Sequence, residues 1–153
     1  MPPSGAVVRS PRIPRGEPLD LVGRPTIWWC HRAAGEVWCE AFGTPLIDAQ
    51  ALRFGLAEMA TEPEAARSLL WRAAAAPDDG DPDAAHLCAM AKRFATETGF
   101  TVADQALQLH GGYCYLTEYG IEKIVRDLRV HRILEGTNEI MSLIIARGLT
   151  GAA

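Results

Sequence analysis

The sequence predicts an all-α fold: an antiparallel four-helix-type bundle preceded by an irregular N-terminal arm. Three observations carry this. From Gly43 onward apolar residues recur at three- and four-residue spacing, the stripe of a helix with one buried face. Short runs of breaker residues separate the stripes, and short loops make neighbouring helices antiparallel. No βαβ alternation, no long period-2 run and no internal repeat interrupts them.

The arm comes first. Six of the ten prolines (Pro2, Pro3, Pro11, Pro14, Pro18 and Pro25) fall in the first 25 residues. Proline fixes φ and removes a backbone donor, which bars a long helix or a central strand. Arg9, Arg12, Arg15 and Arg24 against Glu17 and Asp20 make the segment mildly basic. A solvated tail is the first reading and a basic binding arm the second. Three of the four tryptophans, Trp28, Trp29 and Trp38, follow within residues 26–41. Clustered tryptophans pack on a core or an interface, or form a ligand platform.

Leu46, Ile47, Leu52, Leu56, Met59 and Ala60 open the first helical stripe, which continues through Ala65, Ala66, Leu69 and Leu70 to Ala76. Pro63 lies inside it; deleting the hydrogen bond to the Met59 carbonyl predicts a kink or two helices. Pro77-Asp78-Asp79-Gly80-Asp81 is a turn of breakers. Asp81 is the expected cap of the next helix, with Pro82 in its first position and Asp83 near the positive end of its dipole. Leu87, Met90, Ala91, Phe94, Ala95, Val102, Ala106 and Leu109 give that helix its apolar face, and Gly111-Gly112 stops it. After a short loop from Tyr113 to Leu116, Thr117 is the expected cap of a third helix marked by Ile121, Ile124, Val125 and Leu128. Glu135-Gly136-Thr137 breaks the pattern, and Ile140, Leu143, Ile144 and Arg147 mark a fourth helix.

Composition bounds the function classes. The 153 residues carry 15 Lys and Arg against 19 Asp and Glu, a net charge of −4. There is no global basic field for nucleic acid or an anionic membrane. No apolar run approaches the roughly 18 residues of a membrane span. Cys30, Cys39, Cys88 and Cys114 form no C-x-x-C and no zinc-ligand spacing, so no metal site is expected. The first residues lack the apolar stretch of an export signal. A reduced, cytoplasmic, acidic protein is the expectation.

Two polar, glycine-bearing spots interrupt the helices: Gln108-Leu109-His110-Gly111-Gly112 and Leu134-Glu135-Gly136-Thr137-Asn138-Glu139. Consecutive glycines let backbone approach a ligand and leave N–H groups for an anion such as a pyrophosphate. Thr137 opens a helix, where unpaired N–H groups and the dipole favour negative charge. Glu135 precedes that start beside Ile133 and Leu134; an apolar neighbourhood raises a carboxylate pKa and suits it to act as a base. The bland readings are a helix stop and a cap. His110 and His131 are alternatives for a base near neutrality. The first lies in the glycine loop and the second lacks an obvious orienting partner. Glu118 and Glu122 sit on a helix rich in charge and read as solvated.

The exact wording adds a resemblance. Gln108, Gly111-Gly112, Tyr115, Glu118, Lys123 and Asp127 stand at the spacing of a signature of the acyl-CoA dehydrogenase family. Ile133-Leu134-Glu135-Gly136-Thr137-Asn138-Glu139-Ile140 resembles that family's catalytic segment, and Phe42-Gly43-Thr44-Pro45-Leu46 with Asp48 and Gln50 resembles its Phe-Gly element. The likeness covers about residues 40–148, in one register, and is closest in wording to branches acting on short or branched acyl chains. It implies a C-terminal helical domain over 40–153, with residues 1–39 a separate arm outside the likeness.

The resemblance implies an enzyme that binds FAD, oxidises acyl-CoA to 2,3-enoyl-CoA, passes electrons to an electron-transferring flavoprotein and assembles as a homo-oligomer. Glu135 matches the base that removes the α-proton, and its backbone N–H would polarise the thioester carbonyl. Gly136 would leave room for substrate. Thr137, Asn138 and Glu139 match residues that meet the FAD of the same subunit. Gln108, Leu109, His110, Gly111, Gly112, Phe42 and Gln50 match residues that meet the FAD of a neighbouring subunit. Arg126-Asp127 resembles a family pair, with a salt bridge as the simpler role.

The departures are specific. Cys39 stands where the family usually has an arginine contacting FAD, and a thiol supplies no cationic fork. Cys114 stands where Gly or Ser is usual, Asp83-Ala84-Ala85 where some members hold the CoA with Arg, and Pro63 where a helix former is expected. The loss of likeness upstream of Phe42 suggests a truncated, fused or frame-disrupted product. The reading from another class is a non-catalytic helical module that oligomerises or docks onto full-length relatives.

Overall fold

Alanine decides how the first two helices meet. In the computed structural model, which describes residues 40–41, 43–118 and 120–151, α1 runs Gln50–Asp78 and α2 runs Ala84–His110. Ala66, Ala73 and Ala76 of α1 and Ala89, Ala91, Ala103 and Ala106 of α2 are all buried. Small side chains let helix axes approach to the short end of the usual 8–10 Å range. Met59, 1% exposed, packs with Val102 and Ala106 near one end of the pair. Ala73 and Ala76 pack with Leu87 and Ala91 near the other, so the two helices are antiparallel.

The remaining helices, α3 (Ile121–His131) and α4 (Asn138–Thr150), also lie along α2. A Cβ on Gly99 of α2 would sit 3.6 Å from Leu128 of α3, and Phe100 of α2 stacks under Arg132 just past α3. Lys92 and Thr96 of α2 bond Asn138 at the start of α4. The His86 ring lies against Gly148 near the end of α4. So α3 and α4 follow one another down the same side of α2, each antiparallel to it. The break between them faces the middle of α2.

Four helices in antiparallel contact are the architecture the sequence predicts. Three details differ. The helix α1 is unbroken from Gln50 to Asp78, with Pro63 and Pro77 both inside it. An interior proline costs about 3 kcal/mol. Pro63 is itself buried between Met59 and Ala66 on the face toward α2, and burying that apolar face, Met59 included at about 1.5–3 kcal/mol, offsets much of the cost. Packing therefore carries the helix through. The cap of α3 is the second difference. Gly120 at φ 75° precedes it with no side-chain cap, and Thr117 lies in the turn upstream.

The start of α2 is the third difference: the cap position is Asp83, with no side-chain cap bond, and Pro82 lies in the turn before the helix. Asp81, two residues before the cap, accepts the Asp83 N–H at 2.9 Å with its carboxylate and the Ala84 N–H at 3.0 Å with its carbonyl, which turns the chain into α2. Gly111, φ 70°, ends α2; a residue with a Cβ is strained there. The loop after it is one 3-10 turn, Gly112–Tyr115. Upstream of α1, Glu40–Ala41 and Thr44–Pro45 pair as a two-residue antiparallel ribbon. The N-terminal arm, the tryptophan cluster, Cys39 and Phe42 lie outside the described residues. No described helix is long and apolar enough to cross a membrane. No cluster of metal-ligating side chains occurs among the described residues.

Candidate active site

The junction between α3 and α4 is conformationally unusual. Glu135 has φ 55°, the only positive value of a non-glycine residue among those described. Left-handed backbone costs a residue with a Cβ about 1–3 kcal/mol and persists where surroundings enforce it. Gly136 follows at φ 86°. A Cβ there would lie 2.8 Å from the mobile end of Met141, so it is mainly the backbone that demands glycine. Thr137 then caps α4, its hydroxyl accepting the Ile140 N–H at 3.4 Å.

The surroundings of this junction are polar. The Asn138 N–H donates across the loop to the Arg132 carbonyl at 3.0 Å. Asn138 is buried, and its side chain is a hub. Its Oδ1 accepts from Lys92 Nζ at 2.8 Å and from the Thr96 hydroxyl at 3.1 Å, and its Nδ2 donates to Glu97 at 3.0 Å. Lys92 Nζ also donates to the Gly136 carbonyl at 2.7 Å. Glu97 pairs with Arg132 at 2.9 Å, and the Arg132 guanidinium lies 5.4 Å from the Phe100 ring centre, within cation–π range.

Glu135 itself is exposed, with Ile133 and Leu134 about half exposed beside it. This chain alone therefore leaves its carboxylate in water, and any apolar cover must come from other groups. Glu139, in the first turn of α4, has its pKa lowered. Its own backbone N–H and the Thr137 side chain hydrogen-bond its carboxylate, and Arg132 and Arg129 add positive charge.

The second glycine-bearing spot is elsewhere. Gln108 is exposed on the last turn of α2, and Leu109 packs under it on the Met59 core. His110 Nδ1 lies 2.7 Å from the Ala106 carbonyl, a contact within its own helix. Gly111 and Gly112 are exposed, and a Cβ on either would meet nothing within 4 Å. Gln50, exposed, begins α1; the antiparallel register puts it at this same end of the pair. From Glu97 to Gln108 the rise along α2 is about 16 Å, so one chain holds the two spots well apart. Each fits the edge of a nucleotide cofactor, with open glycine backbone at one and a capped helix start at the other. Neither encloses one.

His131 ends α3 and is exposed. Asp127 pairs with Lys123, and Arg126 lies 4.0 Å from Glu122, so the Arg126-Asp127 pair is part of the charged face of α3. The residues that sequence reasoning misses are Lys92, Thr96, Glu97 and Arg132. Lys92 and Thr96 stand one turn apart, but the helix also carries Arg93, Glu97, Asp104 and Gln105, so the sequence does not single them out.

The two spots are thus separate surfaces of one helical domain: open glycine backbone after α2, and Glu135 in left-handed backbone before α4. The chain belongs to the acyl-CoA dehydrogenase family: the model for the acyl-CoA dehydrogenase C-terminal domain matches residues 30–150. It is 50% identical to the mitochondrial isobutyryl-CoA dehydrogenase of Bos taurus over 108 residues, 71% of this chain and 26% of that protein. Its fold matches an acyl-CoA dehydrogenase from Geobacillus kaustophilus (TM-score 0.74, 38% identity, 82% of this chain and 33% of that one). It likewise matches butyryl-CoA dehydrogenase from Megasphaera elsdenii (TM-score 0.73, 34% identity, 81% and 32%). The chain thus spans about a quarter to a third of the proteins it resembles.

Proposed function

We propose that this chain supplies the C-terminal domain of a flavin-dependent enzyme that oxidises an acyl-CoA thioester to the 2,3-enoyl-CoA, with Glu135 as the base. The observation that carries the reading is the backbone of Glu135. A carboxylate residue is held left-handed, against its conformational preference, directly before a glycine and a helix start. Nothing in the fold requires a glutamate there.

FAD, when bound, supplies the acceptor for the β-hydride. The Glu135 carboxylate takes the α-proton, and its N–H is the donor for the thioester oxygen. Thr137, Asn138 and Glu139 are assigned to one edge of the flavin of this subunit. The buried Asn138 amide acts there by shaping the junction. Gln108, Leu109, His110, Gly111, Gly112, Phe42 and Gln50 are assigned to the flavin of a neighbouring subunit. A homo-oligomer follows from that assignment, and exposed Phe54 and Trp71 on α1 and Leu143 and Leu149 on α4 suit an interface. An electron-transferring flavoprotein is the proposed electron acceptor. A short branched acyl chain is the proposed substrate, in keeping with the isobutyryl-CoA relative.

The second reading is a non-catalytic helical module of the same origin. The exposure of Glu135 in this chain and Cys39 in place of an arginine favour it. The experiment combines the full chain with the N-terminal and middle domains of an isobutyryl-CoA dehydrogenase and follows bleaching of the flavin absorbance by isobutyryl-CoA. General-base catalysis is worth about 10²–10⁴-fold. Glu135→Gln is expected to slow bleaching by that order with flavin still bound. Equal bleaching by the variant contradicts the base assignment. A parent assembly that binds no flavin supports the module.

A further inference from the structure

We infer that Lys92, on the middle of α2, is a positioning residue for the Glu135 segment: its ammonium fixes the Gly136 peptide and so holds the left-handed junction in the geometry the base requires. The inference rests on the reading of Glu135 as the base, but its first test does not use activity.

The geometry is specific. Lys92 Nζ bonds two acceptors, the Gly136 carbonyl at 2.7 Å and Asn138 Oδ1 at 2.8 Å. Both are neutral, and among the described residues the ammonium makes no ion pair. The loop it grips is closed at its neck by the Asn138 N–H on the Arg132 carbonyl. Lys92 therefore clamps the downstream limb of a short loop whose upstream limb is the end of α3. Glu135 stands between the two limbs, and no hydrogen bond holds its own side chain among the described residues. The backbone therefore sets the direction in which its Cα–Cβ bond leaves the loop. The other members of the network reach the amide of Asn138 or the guanidinium of Arg132; Lys92 alone touches the Gly136 peptide.

A role in gluing α4 to α2 would involve the same residues, and the controls separate the two. Thr96→Val removes a bond to Asn138 without touching Gly136. Lys92→Met removes the cation and keeps the aliphatic stem. Lys92→Arg keeps charge and two donors. Amide hydrogen exchange is measured by NMR on the full chain. Losing a hydrogen bond to a charged group shifts a local opening equilibrium by about tenfold or more. Lys92→Met is expected to speed exchange of the Asn138 amide by that factor, with Leu143 and Ile144 within threefold of the parent. Thr96→Val should leave Asn138 exchange within threefold, and Lys92→Arg should restore it. Unchanged Asn138 exchange, a uniform rise along α4, or failure of Lys92→Arg to rescue overturns the inference. Should Lys92→Met not fold, Lys92→Gln, with a neutral donor, takes its place against the same criteria. In the complemented assembly Lys92→Met should lower kcat at least tenfold with KM for isobutyryl-CoA within twofold. A changed KM with unchanged kcat counts against positioning. An inactive parent assembly removes the functional reading and leaves the exchange result to decide this one.

Discussion

The two sides of α2 are built from different materials. Toward α1 the contact is alanine, methionine and valine, buried along its length. Toward the α3–α4 junction it is lysine, threonine and glutamate around one buried asparagine. An apolar seam is tolerant of direction and sets which helices pair. A hydrogen-bonded seam is sensitive to angle and fixes the backbone of particular residues. Here the first makes the domain and the second holds a loop in a conformation the chain would otherwise avoid.

Substitutions on each side break that contrast differently. The largest effect is expected at the apolar seam. Met59→Ala truncates the largest side chain of the core cluster at one end of the α1–α2 seam and should cost about 2–5 kcal/mol, read as a lower urea midpoint. If the seam collapses around the smaller residue, the loss falls toward the lower figure. Asn138→Ala should cost less, about 1–3 kcal/mol, because it leaves Lys92, Thr96 and Glu97 without their shared partner. Asn138→Asp sharpens the point. It keeps an acceptor for Lys92 but turns the donor to Glu97 into a second carboxylate, so its deficit should shrink as the pH falls. A deficit independent of pH would show that the amide acts through shape and not through its donor.

The smallest effect is expected at Glu139. Its pKa is lowered in the fold by hydrogen bonds from its own N–H and from Thr137, with Arg132 and Arg129 adding positive charge. The stabilisation is therefore present above the ordinary carboxylate range and is lost as pH falls through the lowered value. Thermal unfolding of the parent and of Glu139→Gln should differ near neutrality and converge in acid. Constant separation down to the acid limit contradicts this.

Much of the fold was legible in the sequence because it rests on local signals. The 3–4 stripes, Gly111 after α2 and Thr137 before α4 are each decided within a few residues. Pro63 misleads because its cost is local while the burial that offsets it comes from α2. Thr117 misleads because Gly120, with a left-handed φ, takes the capping place without a side chain. The candidate site divides the same way. Glu135 and the two glycine spots are visible in the wording, and so is their membership of the family. The Asn138 hub is not, because its partners are more than forty residues away in sequence and only the packing of α4 on α2 joins them. That the two glycine spots stand apart also follows from helix length and not from any motif.

The central claim is that Glu135 is kept at a left-handed position for its carboxylate and against the preference of the backbone. Glu135→Gly tests it most directly, because glycine removes the strain and the functional group together. Relief of left-handed strain, about 1–2 kcal/mol, exceeds the entropic cost of glycine, about 0.5–1 kcal/mol. Urea unfolding of the full chain should therefore show Glu135→Gly more stable than the parent by about 0.5–1 kcal/mol, with an unchanged denaturant slope. Equal or lower stability would mean that the glutamate side chain stabilises the junction, and that its presence there needs no catalytic explanation.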